Sequence, residues 1–396
     1  MRIKKGNKSH KTNLFAHLLI IGMSFLSAPG FAQPLTYQPS APHIGAKSYV
    51  LIDASNGQVL AEKNADKAYQ PASLTKMMTV YVSFHALKNK QITLQDQVVV
   101  SRNAWKMPGS RMFIEPRHTV SVDQLLQGII VASGNDASVA MSEHIAGSES
   151  AFTNYMNQSA KYLGMNHSHF TDSTGLPHPD HYASAHDLGK LARAIVSEFP
   201  DYYHYFKEKR YTYNKITQSN RNSLLWRDSA VDGLKTGHTK EAGYCLAASA
   251  KREQTRMVAV VMGTDSSRQR ANAALSLLNW GFRFYESMKL YSAGTTAIKL
   301  RVWHGRNKLV PVGVRQAVYL SIPKGSKEDL KVSVTPTEKE LMAPVFAGNT
   351  YAYATVSLHG KELAKVPLTA LENDPQGNLW VRFRDNIAKK FHQWFN

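Results

Sequence analysis

The stretch Pro71–Tyr81, "PASLTKMMTVY", reads as the opening of a buried helix, yet it carries a lysine three residues after a serine. Ser73 and Lys76 fall one turn apart on a single helical face, where their side chains can meet. Taken alone, the pair is also what a helix cap at Ser73 and a solvated Lys76 would give. The choice between a cap and a chemical pair has to come from the rest of the chain.

With 396 residues, 43% of them hydrophobic and 19% charged, the chain is long enough for two or more domains with cores of their own. Its formal charge is +19. Five of the basic residues (Arg2, Lys4, Lys5, Lys8, Lys11) precede an apolar run from about Leu14 to Leu26, after which Gly30 and Ala32 supply small residues. This is the pattern of a secretory signal peptide over residues 1–32, cleaved after Ala32. An uncleaved anchor is the alternative, although the run is short for a membrane span. Removing five positive charges leaves 19 − 5 = +14. A basic exported protein is expected to meet anionic envelope polymers and lipid head groups. Nucleic acid is not expected, since no nucleic-acid-binding motif is present. The one cysteine, Cys245, cannot form an intramolecular disulfide and sits in the apolar run "YCLAASA".

The segment "KSYVLIDASNGQVLAEKNAD" predicts two strands around a type I′ turn at Asn56-Gly57. Helical patterns follow over Ala72–Ala86, Val122–His144, Ser150–Leu163 and Ala185–Phe199. Strand character returns at 211–214, after Leu234 and at 256–263, and "RQRANAALSLLNWGFRFYESM" then predicts a helix. Strands at both ends with helices between and after predict an α/β (α+β) domain over 40–287, an antiparallel sheet flanked by helices. Beyond Met288 the pattern is of period two, as in "AIKLRVW", "QAVYLSIP", "LKVSVTP" and "YAYATVSLHG", which predicts a small all-β sandwich domain over 288–375 joined through "YSAGTT". In the last unit, 378–396, Trp380, Phe383, Ile387, Phe391, Trp394 and Phe395 share one helical face, and Arg382, Asp385, Lys389, His392 and Gln393 face elsewhere. Arg384 intrudes on the apolar side and would have to snorkel. The pattern predicts an interfacial membrane helix, with a helix docked on the β-domain as the alternative.

Ser-x-x-Lys occurs twice, at Ser73–Lys76 and at Ser321–Lys324, but the second copy contains Pro323 and lies in β-rich sequence. Around the first copy, Ser133-Gly134-Asn135 follows Ser73 by 60 residues and Lys235-Thr236-Gly237 by 162. The ordered trio is far more specific than any one member. Through it the chain resembles low-molecular-mass penicillin-binding proteins, specifically periplasmic serine-type D-alanyl-D-alanine carboxypeptidases. "DGLKTGHT" (232–239), "LLNWGFRFYE" (277–286), the β-domain and the amphipathic tail are similar to that branch as well.

On chemistry alone, a serine hydroxyl needs a base, and a lysine desolvated by "MMTVY" can be one. The resemblance implies that Ser73 forms the acyl-enzyme and that Lys76 is this base. It implies that Ser133 relays a proton to the leaving amine and that Asn135 holds Lys76 and the substrate amide. Lys235 would supply positive charge, and Thr236 and Gly237 would lie on a strand edge where an extended peptide docks. The backbone N–H groups of Ser73 and His238 would form the oxyanion hole. Arg270 would bind the substrate's terminal carboxylate, with Arg268 the competitor if the register slips. The segment 102–116 would rim the site. His178, His181 and His186 suggest a loop rather than a metal centre, Asp187 opens a helix, and no cofactor is expected. The implied substrate is the peptidoglycan pentapeptide stem ending in D-Ala-D-Ala, with β-lactams acylating Ser73 in its place, on the periplasmic face of the inner membrane. A β-lactamase would need a deacylating glutamate, and none occurs around Thr171 and Asp172. A DD-endopeptidase sharing the trio typically lacks the β-domain and tail. An inactive peptidoglycan-binding scaffold is disfavoured by the intact trio.

Overall fold

The computed structural model describes residues 40–395, with side chains to 389. The expected signal peptide, and the side chains of Phe391, Trp394 and Phe395, lie outside the described residues. Five strands, β1 (Ser48–Asp53), β2 (Val59–Lys63), β3 (Val231–Thr239), β4 (Gly243–Arg252) and β5 (Thr255–Thr264), form one antiparallel sheet in the order β2-β1-β5-β4-β3. The helices that position the site are α1 (Lys76–Lys88), α2 (Asn135–Ala146), α3 (Glu149–Tyr162), α4 (Ala185–Glu198) and α5 (Ser267–Phe284).

Both faces of the sheet are buried, and the two-residue period of the strands sorts their side chains between them. Val50, Ile52, Val258 and Val260 join the core of α1, α2 and α4, while Leu51, Met257, Ala259 and Val261 join the core under α5. The sheet ends at β3, whose outer edge is paired with no further strand.

Three local expectations change. The β1–β2 connection is longer than a two-residue type I′ turn, since Ile52 lies opposite Val59. The Asp53 carboxylate explains this: its Oδ1 accepts from Ser55 N at 2.8 Å and Ser55 Oγ at 2.6 Å, folding an Asx-type loop. The helix expected over Val122–His144 is broken. It runs over Val122–Gln127, widens through Gly128–Ala132, stops at Ser133 in the left-handed region (φ +60) and restarts at Asn135. The helix expected to reach Met288 ends at Phe284, because Tyr285–Tyr291 is a strand paired with Val318–Pro323. That strand crosses the expected junction at 287/288.

After Phe284 the chain is built of strands, apart from a 3-10 turn at Lys327–Asp329, until the last helix. A six-stranded sheet is ordered Leu330–Pro336, Thr350–Leu358, Lys361–Ala370, Leu309–Gly313, Thr296–Trp303 and Glu340–Met342, and buries Val310, Val312, Ala352, Ala354 and Leu368. The strands at 309–313 and 361–370 were not apparent in the sequence. Ser321, of the discarded second Ser-x-x-Lys, donates to Asp53 Oδ2 at 2.7 Å, as does the Ser287 hydroxyl, and Asn56 Nδ2 donates to Ser321 Oγ at 3.0 Å. One buried carboxylate thus shapes the β1–β2 loop and docks two strands of the β-domain on it.

The final helix, α6 (Leu379–Phe395), has Asp385 buried, its Oδ2 accepting from His304 N at 2.8 Å, and Asn386 Oδ1 2.7 Å from His304 Nε2. Leu379, Trp380 and Phe383 are 80%, 79% and 60% exposed, so the polar side meets the β-domain and the apolar side faces out. Arg384 pairs with Asp385 at 3.0 Å. Among the described residues no helix is long and apolar enough to cross a membrane.

Replacing Asp53 by Ala removes the acceptor of three hydroxyl donors, Ser55, Ser287 and Ser321. Chemical denaturation should show a loss of about 2–4 kcal/mol; a loss below about 0.5 kcal/mol would mean that water or other groups replace the carboxylate.

Candidate active site

Ser73 sits in a single 3-10 turn, Ala72–Thr75, that leads directly into α1. Ala72 holds φ +48, a conformation that costs an L-residue free energy and persists only when its surroundings fix it. Two glycines do so. A Cβ on Gly237 of β3 would lie 2.9 Å from Pro71 O and 3.1 Å from Ser73 N, and a Cβ on Gly175 would overlap Ala72 O. The strand edge and the loop 171–176 therefore close on the serine turn from two sides at backbone contact.

One turn on, Lys76 is fully buried. Its Nζ donates to Ser73 Oγ at 3.1 Å, Asn135 Oδ1 at 2.6 Å and Thr174 O at 2.7 Å. All three acceptors are neutral. Burial pulls the Lys76 ammonium down to about 7, helped by Arg221 and opposed by the more distant carboxylates of Asp172, Asp136 and Glu149.

The helix break places the second motif. The left-handed turn at Ser133 aims its hydroxyl at the third motif, where Lys235 Nζ donates to Ser133 Oγ at 2.9 Å. Lys235 is buried too, and burial, with Lys76, Arg221 and Arg270 as like charges, holds it well below the usual lysine range. Asn135 opens α2; besides receiving Lys76, its Nδ2 donates to Pro108 O at 2.6 Å. Lys76, Ser133, Asn135 and Lys235 are buried and Ser73 is half-buried; Lys76 bonds Ser73 and Asn135, and Lys235 bonds Ser133, so three separate stretches of chain meet around the two lysines.

Thr236, Gly237 and His238 continue along the β3 edge; His238 is exposed and stacks on Tyr244, ring centroids 3.9 Å apart. Arg270, buried on α5, donates from Nη1 to Gly237 O at 2.9 Å. Arg268 instead lines an open concavity with Arg227 and Asn272. Of the two arginines, Arg270 is the one beside the strand edge.

Several residues that build the site were not assigned to it from the sequence. Asp136, directly after Asn135, is fully buried and accepts from Met112 N at 2.9 Å and Phe113 N at 2.9 Å. It fastens the segment 102–116 against α2. Arg221 reaches the same segment, donating to Ser110 Oγ at 2.6 Å, and adds positive potential to both lysines. Neither was readable from the sequence, since the helix expected over Val122–His144 put Asp136 in its interior and Arg221 belongs to no motif. His181 is buried between Thr75 Oγ1 (2.8 Å) and Asp172 Oδ2 (3.3 Å), supporting the floor under the serine turn. Burial disfavours the Asp172 carboxylate, yet His181, Thr174 and the Gly175 amide hold it below the usual range. Among the described residues no cluster of three or more His, Cys, Asp and Glu side chains is placed to hold a metal. Asp187 accepts from His167 N at 2.7 Å near the start of α4. A glutamate does approach the loop 171–176, from α3: Glu149 Oε1 accepts from Ser173 N at 3.0 Å and Ser173 Oγ at 2.6 Å, and is occupied there.

A serine beside a buried lysine of lowered pKa, under a free strand edge, defines a serine acyl-transfer site of the penicillin-binding-protein kind. The comparisons agree. Residues 36–266 match the D-alanyl-D-alanine carboxypeptidase family and residues 285–376 match the penicillin-binding protein 5 C-terminal domain. The chain is 41% identical to D-alanyl-D-alanine carboxypeptidase DacC of Escherichia coli (strain K12), over 94% of each. It superimposes on penicillin-binding protein 5 from Haemophilus influenzae with a TM-score of 0.83 and 38% identity, over 85% of this chain and all of that one. Penicillin-binding protein D2 from Listeria monocytogenes, in its ampicillin-bound form, gives a TM-score of 0.57 at 28% identity, over 62% of this chain and all of that one. The chain belongs to the D-alanyl-D-alanine carboxypeptidase family, and its activity class is that of a serine DD-carboxypeptidase.

A Gly237→Ala substitution should force β3 away from the serine turn. We expect kcat/KM for a D-Ala-D-Ala peptide to fall on the order of 10²-fold, since displacements near 1 Å cost that much, while far-ultraviolet circular dichroism stays native. A loss under about threefold would show that the contact is not needed.

Proposed function

We propose that the chain removes the terminal D-alanine from peptidoglycan stems ending in D-Ala-D-Ala, with Ser73 as nucleophile and Lys76 as its base. The observation that carries this is the contact of Lys76 Nζ with Ser73 Oγ in a site whose burial lowers the lysine to about 7. At the ordinary lysine value, roughly one side chain in three thousand is neutral at pH 7. Near 7, about half are, a gain on the order of 10³ in available base.

Neutral Lys76 takes the Ser73 proton as Oγ bonds to the carbonyl carbon of the penultimate residue. The oxyanion that forms is received by the N–H groups of Ser73 and His238. The C–N bond then breaks, the leaving amine takes a proton through Ser133 from the lysine pair, and D-alanine departs. Water, deprotonated by Lys76, hydrolyses the remaining ester and restores Ser73. The β3 edge holds the extended peptide, and Arg270, through a shift of its guanidinium off Gly237 O, receives the terminal carboxylate. β-Lactams enter this reading because the related protein D2 has an ampicillin-bound form.

The same proposal places the enzyme outside the cytoplasm, exported by residues 1–32 and held on the periplasmic face of the inner membrane by α6. What supports the anchor is the outward apolar side of α6, with its polar side engaged by His304.

Wild-type protein should release D-alanine from a soluble pentapeptide, and Ser73→Ala should lower the rate at least ~10³-fold. A chain ending at Asn378 should keep that rate but no longer sediment with anionic phospholipid vesicles. D-Alanine release by Ser73→Ala at the wild-type rate would remove the nucleophile assignment, and sedimentation of the shortened chain would remove the anchor.

A further inference from the structure

A second basic feature lies on the catalytic domain, away from the serine. An open cavity of about 480 Å³ is lined by Lys207, Lys209 and Lys251, with Ala230 and Val231 at the start of β3 on its wall. The two carboxylates nearby are taken: Asp232 binds Arg256 through two contacts of 2.8 Å, and Asp228 binds Arg252 at 2.7 Å. Glu208, between two of the lysines in sequence, is half-buried and does not line the cavity. Among the described residues none of the three lysines has a carboxylate within ion-pair distance. Lys209 extends over the ring of Trp226, 5.9 Å from its centroid, and Trp226 is 43% exposed. On the other flank of the short helix Leu224–Arg227 lies a second open concavity, about 430 Å³, carrying Arg227 and Arg268. An exposed indole thus sits beside one of the lysines, on a short helix whose residues line both basic hollows.

We propose that this face is a second binding site for the polymeric substrate, one that holds carboxylate-bearing stems other than the stem being cut. The inference rests on the reading of the reaction given above. A polymer of D-Ala-terminated stems carries a free carboxylate on each stem both before and after the reaction, so it is a polyanion at every stage. Val231 precedes Lys235 by four residues on one strand, roughly 13 Å at 3.3 Å per residue. The cavity wall and the catalytic motif thus share one strand, while none of the three lysines bonds a residue of the serine site. Trp226 offers a flat apolar face against which a sugar ring or peptide plane can pack, next to the Lys209 ammonium. A lipid surface fits less well. The hollows are concave, whereas α6 carries Leu379, Trp380, Phe383 and Ile387 exposed together.

The test is the triple charge reversal Lys207→Glu, Lys209→Glu and Lys251→Glu in the full mature chain, with Tm confirming the fold. On a soluble pentapeptide, kcat/KM should stay within about twofold of wild type. On insoluble peptidoglycan rich in pentapeptide stems, D-alanine release at low salt should fall about tenfold, the low end of what a charged surface lends to association. The deficit should close in about 0.5 M salt, where the screening length is only a few Å. Unchanged turnover of the polymer would overturn the proposal. So would an equal loss on the soluble peptide, which would place the lysines in the reaction itself. Loss of binding to anionic vesicles with polymer turnover intact would overturn it in favour of a membrane contact. Cosedimentation of Ser73→Ala with the polymer, with and without the three reversals, reads the same site without any catalysis. Should wild type release no D-alanine from either substrate, the reaction fails while this arm still decides the cavity.

Discussion

The ammonium nitrogen of Lys76 is fully buried, and every atom it bonds is neutral: a hydroxyl, a side-chain amide oxygen and a backbone carbonyl. A carboxylate in direct contact would hold the lysine charged and useless as a base. An apolar pocket would leave it with no orientation toward Ser73. The three neutral acceptors fix its direction, while the carboxylates that temper its desolvation remain outside the first contacts. Much of the catalytic domain can be read as the means of building that environment.

Three parts of the chain have to converge to do it. The 3-10 turn presents Ser73 next to Lys76; the break at Ser133 ends one helix and lets Asn135 begin another pointed at the lysine; the loop 171–176 brings the Thr174 carbonyl. Two of these junctions are locally unfavourable, with Ala72 and Ser133 both at positive φ. The surroundings compensate through close backbone packing at Gly175 and Gly237 and through the Asp136 and Asp172 carboxylates, which gather the amides of the adjoining loops. Two strained residues flank the chemistry, and buried carboxylates fasten the loops that surround it.

The sheet, its flanking helices and the change to period-two sequence after the catalytic domain were legible because each is a repeated pattern over many residues. So were the three motifs, whose order carries more information than any single copy. Ser133 was legible as a residue but not as a helix break, since "GIIVASGNDASVA" is compatible with one long helix and only tertiary packing selects the left-handed turn. The β1–β2 loop misled because Asn-Gly is a strong local turn signal that the neighbouring Asp53 overrides. Arg221, Thr174 and Glu149 reach the site from afar in sequence, and no periodicity reports such contacts. The discarded Ser321–Lys324 pair shows the same lesson in reverse, for Ser321 proved to be a docking hydroxyl for Asp53.

The central claim is that Lys76, neutralised by burial, deprotonates Ser73. The measurement that tests it most directly is the rate of benzylpenicillin acylation as a function of pH, followed by intact mass, on wild type, Ser73→Ala and Lys76→Arg. The account predicts one adduct of penicillin mass, absent in Ser73→Ala, forming at a rate that rises as pH increases through about 7. Arginine keeps the positive charge but cannot act as a base near neutral pH, so Lys76→Arg should be slower by at least ~10². A rate independent of pH between about 5 and 9, or a Lys76→Arg protein acylated as fast as wild type, would contradict it.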